Sequence, residues 1–229
     1  MTQGNLPEAY QKIVLNRHEN ASDAARRVFD NFSEKLSIQS TAYSADKTPH
    51  YLHKPSNGCK IGVYYNAGDD MQNKRGAGST YYHELAHMID HAAMDFQSFL
   101  SDRPEFYEAL MHDAQNVLNH FERAGDNVKA AFIAGLRKNN RTHSVQDLLD
   151  AATHGKICIG WGHEPQYWQT SGNLQKEAFA HFFEASMGAD DKVQYLRYFF
   201  PTAFNVFDTM LEDIAPKEKT LEKKLVRRI

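Results

Sequence analysis

The feature that most constrains this 229-residue chain is the pentapeptide His83-Glu84-Leu85-Ala86-His87. Two histidines four residues apart lie one turn apart on the same face of a helix, so both imidazoles can bind one metal ion. Glu84 cannot easily share their coordination geometry, but its carboxylate can reach a water molecule on that metal. A buried helix also requires apolar or small neighbours, and these are Leu85, Ala86, Met88 and Ile89. The pentapeptide therefore predicts a buried helix that carries a metal site.

The chemistry typical of this pattern is zinc-dependent hydrolysis. Zinc lowers the pKa of water that it binds, and Glu84 would accept the proton as general base while the water attacks a peptide carbonyl. A catalytic Zn²⁺ usually takes three protein ligands and one water, so a third ligand is expected outside the pentapeptide. The candidates are His91, Asp95, His163, Glu164, Glu177, His181 and Glu184.

The segment 173–187 is the strongest source of that third ligand. It predicts a helix on which Glu177, His181 and Glu184 share one stripe. A buried carboxylate needs a partner, which a metal ion supplies. We therefore predict that His83, His87 and Glu177 are the metal ligands. Glu184 is either the alternative ligand or an acceptor for the free nitrogen of a ligating histidine.

Two further pairs of residues have open interpretations. Asp90 and His91 follow the pentapeptide on the same helix and either orient the ligating rings or have no role in the site. His163 and Tyr167 lie in a loop, 157–172, that is rich in glycine and aromatic residues. An imidazole or a phenol near zinc can donate a hydrogen bond to a developing oxyanion, which makes both candidate catalytic residues. The alternative is that they pack over the core.

The remaining pattern predicts a predominantly helical α+β protein with a small sheet next to the motif helix. One or two helices are expected over 7–36, the second capped by Asn20 or Ser22. Strands are expected over 37–43 and 61–65. The 61–65 strand is either an edge strand that binds a peptide backbone or an inner strand. The other helices are expected over 79–96, 104–123, 126–138, 144–153, 173–187, 190–199 and 202–213.

Local signals also predict how two of these helices begin. Ser79 or Thr80 is expected to cap the motif helix after a glycine-rich loop. Ser144, with Asp147 three residues on, is close to a capping box for the 144–153 helix. We treat 1–229 as a single domain in which 104–153 is a helical insert and 214–229 is a charged tail.

Composition excludes several classes of function. A net charge of -3 without a basic region argues against nucleic-acid binding. Cys59 and Cys158 do not form a disulfide framework or a CxxC pair, so both are expected to be unpaired buried thiols. The chain contains no apolar run of membrane-spanning length, and 1–10 is polar, unlike a signal peptide. We therefore expect a cytoplasmic protein without a membrane partner, with signal-less export or delivery inside a particle left open.

The combined motifs resemble a known family. The segment His-Glu-Leu-Ala-His-Met-Ile-Asp at 83–90, followed by Glu-Ala-Phe-Ala-x-x-Phe-Glu at 177–184, resembles the anthrax lethal factor-like zinc peptidases, which are gluzincin-type zincins. It also resembles the zincin-like domains of phage minor head proteins and prophage-encoded peptidases. There a Gly-His…Tyr-Trp loop precedes the second motif and a Phe-Pro segment, here 200–201, follows it.

The resemblance covers about residues 60 to 210. It implies a zincin-like fold, a zinc cofactor, a peptide or protein substrate and Glu177 as third ligand. It also implies a catalytic role for Tyr167, although the offset from Glu177 differs from that in the family. Two other functions stay open: a phage or mobile-element structural protein that keeps a zincin fold without turnover, and a helical interaction module. The substrate sequence and the oligomeric state stay open as well.

Overall fold

A computed structural model describes residues 6–40, 48–55, 58–157, 162–188 and 191–216. Within these ranges the protein is predominantly helical and has one small sheet. The α-helices are α1 (Glu8–Glu19), α2 (Asp23–Phe32), α3 (Ala67–Met71), α4 (Ser79–Ala92), α5 (Pro104–Ala124), α6 (Asp126–Arg137), α7 (His143–Ala152), α8 (Asn173–Ser186), α9 (Lys192–Phe199) and α10 (Pro201–Ile214). The helices expected from the sequence are all present, and α3 is an additional short one.

The sheet contains β1 (Ile38–Ser40), β2 (His50–Leu52) and β3 (Gly62–Tyr64), in the order β1-β3-β2. β3 pairs in parallel with β1 and antiparallel with β2. The 61–65 segment is therefore an inner strand, and its interpretation as an exposed peptide-binding edge is wrong. Its composition explains this position, because Val63 is fully buried and Tyr65 beyond it enters the core. Among the described strands, the edge next to α4 is β2.

The motif helix α4 begins differently from the prediction. Its N-cap is Gly78, which has a φ of 82° that favours glycine, and neither Ser79 nor Thr80 caps it. The first turn is instead capped by Asp70, whose carboxylate accepts the backbone N–H groups of Thr80 and Tyr81 at 2.9 and 3.2 Å. The Tyr10 hydroxyl donates to the same carboxylate at 2.5 Å. A buried acid from α3 thus satisfies the helix terminus and ties α1 to α4.

The end of α4 also differs. The sequence predicts a helix to Phe96, but α4 ends at Ala92. Asp95 and Phe96 have φ values of 51° and 60°, and the Phe96 N–H bonds back to the His91 carbonyl at 3.0 Å. This left-handed turn closes the helix one turn earlier than its apolar spacing indicates.

Two other local predictions have clear outcomes. The expected Ser22 cap of α2 is confirmed, since its hydroxyl accepts the Ala25 N–H. The capping box at Ser144 and Asp147 is wrong, because α7 already begins at His143 and the Asp147 carboxylate accepts the His163 N–H instead.

Of the two cysteines, Cys59 is a free, half-buried thiol rather than a buried one, and Cys158 lies outside the described residues. Most of the 214–229 tail also lies outside them.

The two helices with the predicted ligands, α4 and α8, pack against each other more extensively than any other pair of described elements. Behind α8, Phe182 is fully buried and stacks on Phe204 of α10, with ring centroids 4.7 Å apart. Phe106 of α5 and Phe207 of α10 contact Phe182 edge-on. The helices of the 104–153 region thus share the core that supports α8. No helix in the described part of the chain is long and apolar enough to cross a membrane.

Candidate metal centre

Three predicted ligands meet where α4 and α8 face each other. Nε2 of His83 lies 3.1 Å from Oε2 of Glu177, and Nε2 of His87 lies 3.6 Å from Oε1 of the same carboxylate. Donor atoms about 2.0–2.1 Å from a tetrahedral zinc ion lie about 3.3 Å from one another. Both separations from Glu177 are close to this value, and two imidazoles with one carboxylate are a donor set that suits a zinc ion.

His181 also approaches this centre. One donor atom each from His83, Glu177 and His181 lies within 4.8 Å of the others. However, Nε2 of His181 is 3.1 Å from the Asp147 carboxylate, and its Nδ1 faces Glu184 at 3.9 Å. Because Nε2 of His181 is already hydrogen-bonded to Asp147, we favour His87 as the second imidazole ligand, and His87 lines the same cleft as Glu84.

The electrostatics of the centre favour a cation. Burial opposes ionisation of Glu177, which is only 3% exposed, but His87 and His83 hold its pKa well below the usual value. Burial likewise disfavours the charged form of His87, yet the Glu177 carboxylate raises its pKa to about 9. A buried carboxylate between two imidazoles thus requires a compensating positive charge. A proton on His87 or a divalent metal ion supplies that charge.

Glu184 lies one layer behind the ligands. Its carboxylate, which is 0% exposed, accepts Nη1 of Arg75 at 2.8 Å and Nζ of Lys192 at 3.0 Å. Burial opposes its ionisation, but these two cations hold its pKa well below the usual value. Oε2 of Glu184 also lies 3.5 Å from Nδ1 of His83. This separation is not a hydrogen bond, but the negative charge of Glu184 favours a proton on Nδ1 and leaves Nε2 of His83 available to a metal.

Tyr167 and His163 form the opposite wall of the cleft. The Tyr167 hydroxyl donates to Oε1 of Glu177 at 2.5 Å, and Nε2 of His163 lies 3.8 Å from the same oxygen. The two rings stack with centroids 4.1 Å apart. Burial and the Glu177 carboxylate raise the pKa of Tyr167, so its phenol stays a hydrogen-bond donor. The structure thus brings both predicted catalytic side chains to the ligand cluster.

The cleft at the centre has a volume of about 430 Å³. Glu84, His83, His87, Glu177, His163 and Tyr167 all line it, together with residues of β2, Phe99 and Lys176. A second cavity of about 450 Å³ shares His83, Glu84 and His163 and continues towards Arg75. Glu84 therefore lines both cavities.

Other candidates from the sequence lie outside this cluster. Nδ1 of His91 is 3.0 Å from the Tyr51 hydroxyl, and the His91 ring stacks on Phe99 at 4.5 Å. Asp90 accepts the backbone N–H and the hydroxyl of Ser101 at 2.7 and 2.6 Å. Both residues therefore have partners in the core. Asp90 also lies close enough to the ligand His87 to raise the pKa of that imidazole, so its role in orienting the ring stays a prediction. Asp95 and Glu164 are exposed.

Asp147 is the site residue that sequence reasoning missed. Asp147 is buried and contacts His163 and His181. Burial alone would raise its pKa, but the hydrogen bonds from these two histidines lower the pKa to about 2. Its partners lie 16 and 34 residues away in the chain, so helix spacing could not reveal them. The only local clue in the sequence is the glycine before His163. Gly162 lies directly against the Asp147 carboxylate, where a side chain would not fit.

Comparison of the chain with protein-family models, with curated proteins and with solved structures finds no match.

Proposed function

We propose that this protein is a zinc-dependent metallopeptidase with a zincin-like fold. The observation that carries the proposal is the convergence of His83, His87 and Glu177 from two packed helices beside the Glu84 carboxylate in one cleft. The donor types and their separations suit a catalytic zinc with an open fourth position. A zinc ion bound there would activate water and polarise the peptide carbonyl.

The chain's own residues then have distinct roles. Glu84 accepts the proton of the attacking water and is the general base. Tyr167 and His163 face Glu84 and the ligands from the other wall. The Tyr167 phenol can donate a hydrogen bond to the carbonyl oxygen as it gains negative charge, and the His163 ring stacks on it. Glu184 keeps Nε2 of His83 free for the metal through its contact with Nδ1.

The substrate best suited to this cleft is an extended peptide. β2 is an edge strand among the described strands, and His50 and Tyr51 of this strand line the cleft beside Glu84. An extended peptide can pair with such an edge through backbone hydrogen bonds. This role belongs to β2 instead of the inner strand β3.

The decisive experiment combines metal analysis with cleavage of a broad peptide library. We expect one zinc per purified chain, and cleavage by the wild type that Glu84→Gln abolishes without loss of zinc. Glu164→Gln is the matched control, because Glu164 is an exposed glutamate in the loop next to the cleft. Chains without zinc would contradict the metal assignment. Zinc-loaded wild type as inert as Glu84→Gln would instead favour a structural protein that keeps the fold without turnover.

A further inference from the structure

Asp147 of α7 is a buried acid to which the proposed chemistry assigns no role. Its Oδ1 accepts the backbone N–H of His163 at 2.9 Å. Its Oδ2 lies 3.1 Å from Nδ1 of His163 and 3.1 Å from Nε2 of His181. One carboxylate therefore holds a histidine of the loop wall and a histidine of the helix α8.

Gly162 shows that the loop is built to make this contact. Its φ is 120°, which side-chain-bearing residues rarely adopt, and a Cβ there would lie 1.8 Å from Oδ1 of Asp147. The absence of a side chain lets the loop backbone approach the carboxylate closely. The contact therefore depends on the backbone as well as on the imidazole of His163.

The contact determines which nitrogen of His163 faces the cleft. When Nδ1–H donates to Asp147, the neutral ring carries its lone pair on Nε2. Nε2 is the atom 3.8 Å from Glu177, and the ring lies flat against Tyr167. On the other side, Nε2–H of His181 donates to Asp147, and the His181 ring packs beside the ligand His83 with centroids 4.7 Å apart.

We propose that Asp147 is a positioning residue that holds His163 in the Nδ1–H tautomer and presents Nε2 to the substrate. Its second contact, with His181, joins this loop to the helix that carries Glu177. The inference deepens the proposed peptidase function and rests on it. Asp147 itself does not touch the reacting atoms, since it acts through His163.

A second metal ion is the competing interpretation. Donor atoms of Asp147, His163 and Glu177 lie within 4.8 Å of one another. However, each Asp147 oxygen already has a nitrogen partner at 2.9–3.1 Å, which accounts for the buried charge without a metal. We therefore favour hydrogen bonding, and metal stoichiometry tests the choice.

The test uses the full-length zinc-loaded chain and two variants that break the contact from opposite sides. Asp147→Asn keeps the shape but places an NH₂ group against one of its nitrogen partners, and Gly162→Ala pushes the loop away. Exposed Asp126→Asn and Gly135→Ala, a helical position with open space, are the controls. The readouts are the ¹⁵N spectrum of the His163 imidazole, assigned with His163→Gln, together with zinc stoichiometry, kcat and KM.

We expect wild-type His163 to show a protonated Nδ1, and both variants to lose that signature while still binding one zinc. We expect kcat to fall by about 10–100-fold with KM nearly unchanged. An unchanged imidazole spectrum, or kcat equal to that of the controls, overturns the proposal. Two zinc ions in the wild type and one in Asp147→Asn overturn it in favour of a second metal site. If the wild type cleaves no peptide, the peptidase function fails, whereas the imidazole spectrum still decides whether Asp147 sets the tautomer.

Discussion

The two walls of the cleft are built in different ways. The ligand wall consists of His83, His87 and Glu177 on two long helices that pack along each other, so helical hydrogen bonds and core contacts hold each side chain. The loop wall consists of His163 and Tyr167 on a segment whose described part, 162–172, contains only the short 3₁₀ turn Tyr167–Gln169. This difference implies that metal binding and assistance to the reaction can be lost separately. The predictions below test that separation.

The largest expected effect is on the ligand wall. Glu177→Ala removes a donor and leaves two imidazoles, so we expect zinc affinity to fall by more than the roughly 100-fold typical of losing an outer hydrogen-bond partner. A competition titration with a chelator measures it. Glu164→Ala should bind zinc like the wild type, because Glu164 is exposed in the loop. Unchanged affinity in Glu177→Ala would remove Glu177 from the ligand set.

The second-largest expected effect is on stability, at the Glu184 carboxylate behind the ligands. Glu184→Gln leaves the cations of Arg75 and Lys192 without their buried acid, which should lower the free energy of unfolding of the zinc-free chain by about 3–5 kcal/mol. Urea unfolding measures this. The control is Glu212→Gln, since Glu212 pairs with Arg27 at an exposed site where a salt bridge contributes about 0–1 kcal/mol. Similar losses for the two variants would mean that the Glu184 cluster contributes no more than a surface pair.

A substitution in the loop wall should lower kcat but leave zinc affinity and stability nearly unchanged. Tyr167→Phe removes a donor from the cleft, and we expect kcat to fall by about 100–1000-fold with little change in zinc affinity or stability. Tyr198→Phe is the control, because Tyr198 is 78% exposed. If Tyr167→Phe weakens zinc binding as strongly as Glu177→Ala, the two walls are not separable.

The smallest expected effect is a pH dependence of stability that comes from Asp147, which contacts both the loop wall and α8. The pKa of Asp147 is lowered from 3.8 to about 2, so its contribution to stability is present above pH 4 and is lost as the pH falls to about 2. The shift corresponds to about 2 kcal/mol. As the pH is lowered from 5 to 2, the unfolding free energy should therefore fall more steeply for the wild type than for Asp147→Asn. Parallel curves would show that Asp147 is not stabilised by its histidines.

The parts of the site that the sequence predicts are those that depend on helix periodicity. The spacing of His83, Glu84 and His87, and the stripe that includes Glu177, place these residues correctly on their helices. For Tyr167 and His163 the sequence predicts only that an aromatic and an imidazole side chain lie in a glycine-rich loop. Whether these residues bind zinc and cleave peptides stays a prediction.

The parts that the sequence could not predict depend on contacts between distant segments. Asp70 outcompetes Ser79 and Thr80 as the cap of α4 because α3 places its carboxylate over the first turn. The inner position of β3 depends on the pairing of β2. Local sequence contains neither piece of information, since both depend on how the chain folds back on itself.

The bond from Tyr10 to Asp70 has a practical consequence for anyone who shortens the chain. α1 looks dispensable, because it carries no ligand, yet its tyrosine holds the acid that anchors the start of the ligand helix. A version that starts after α1 would keep every donor atom of the site. It would nevertheless lose a support beneath the first turn of α4, and we expect it to release its metal more readily than the full-length protein.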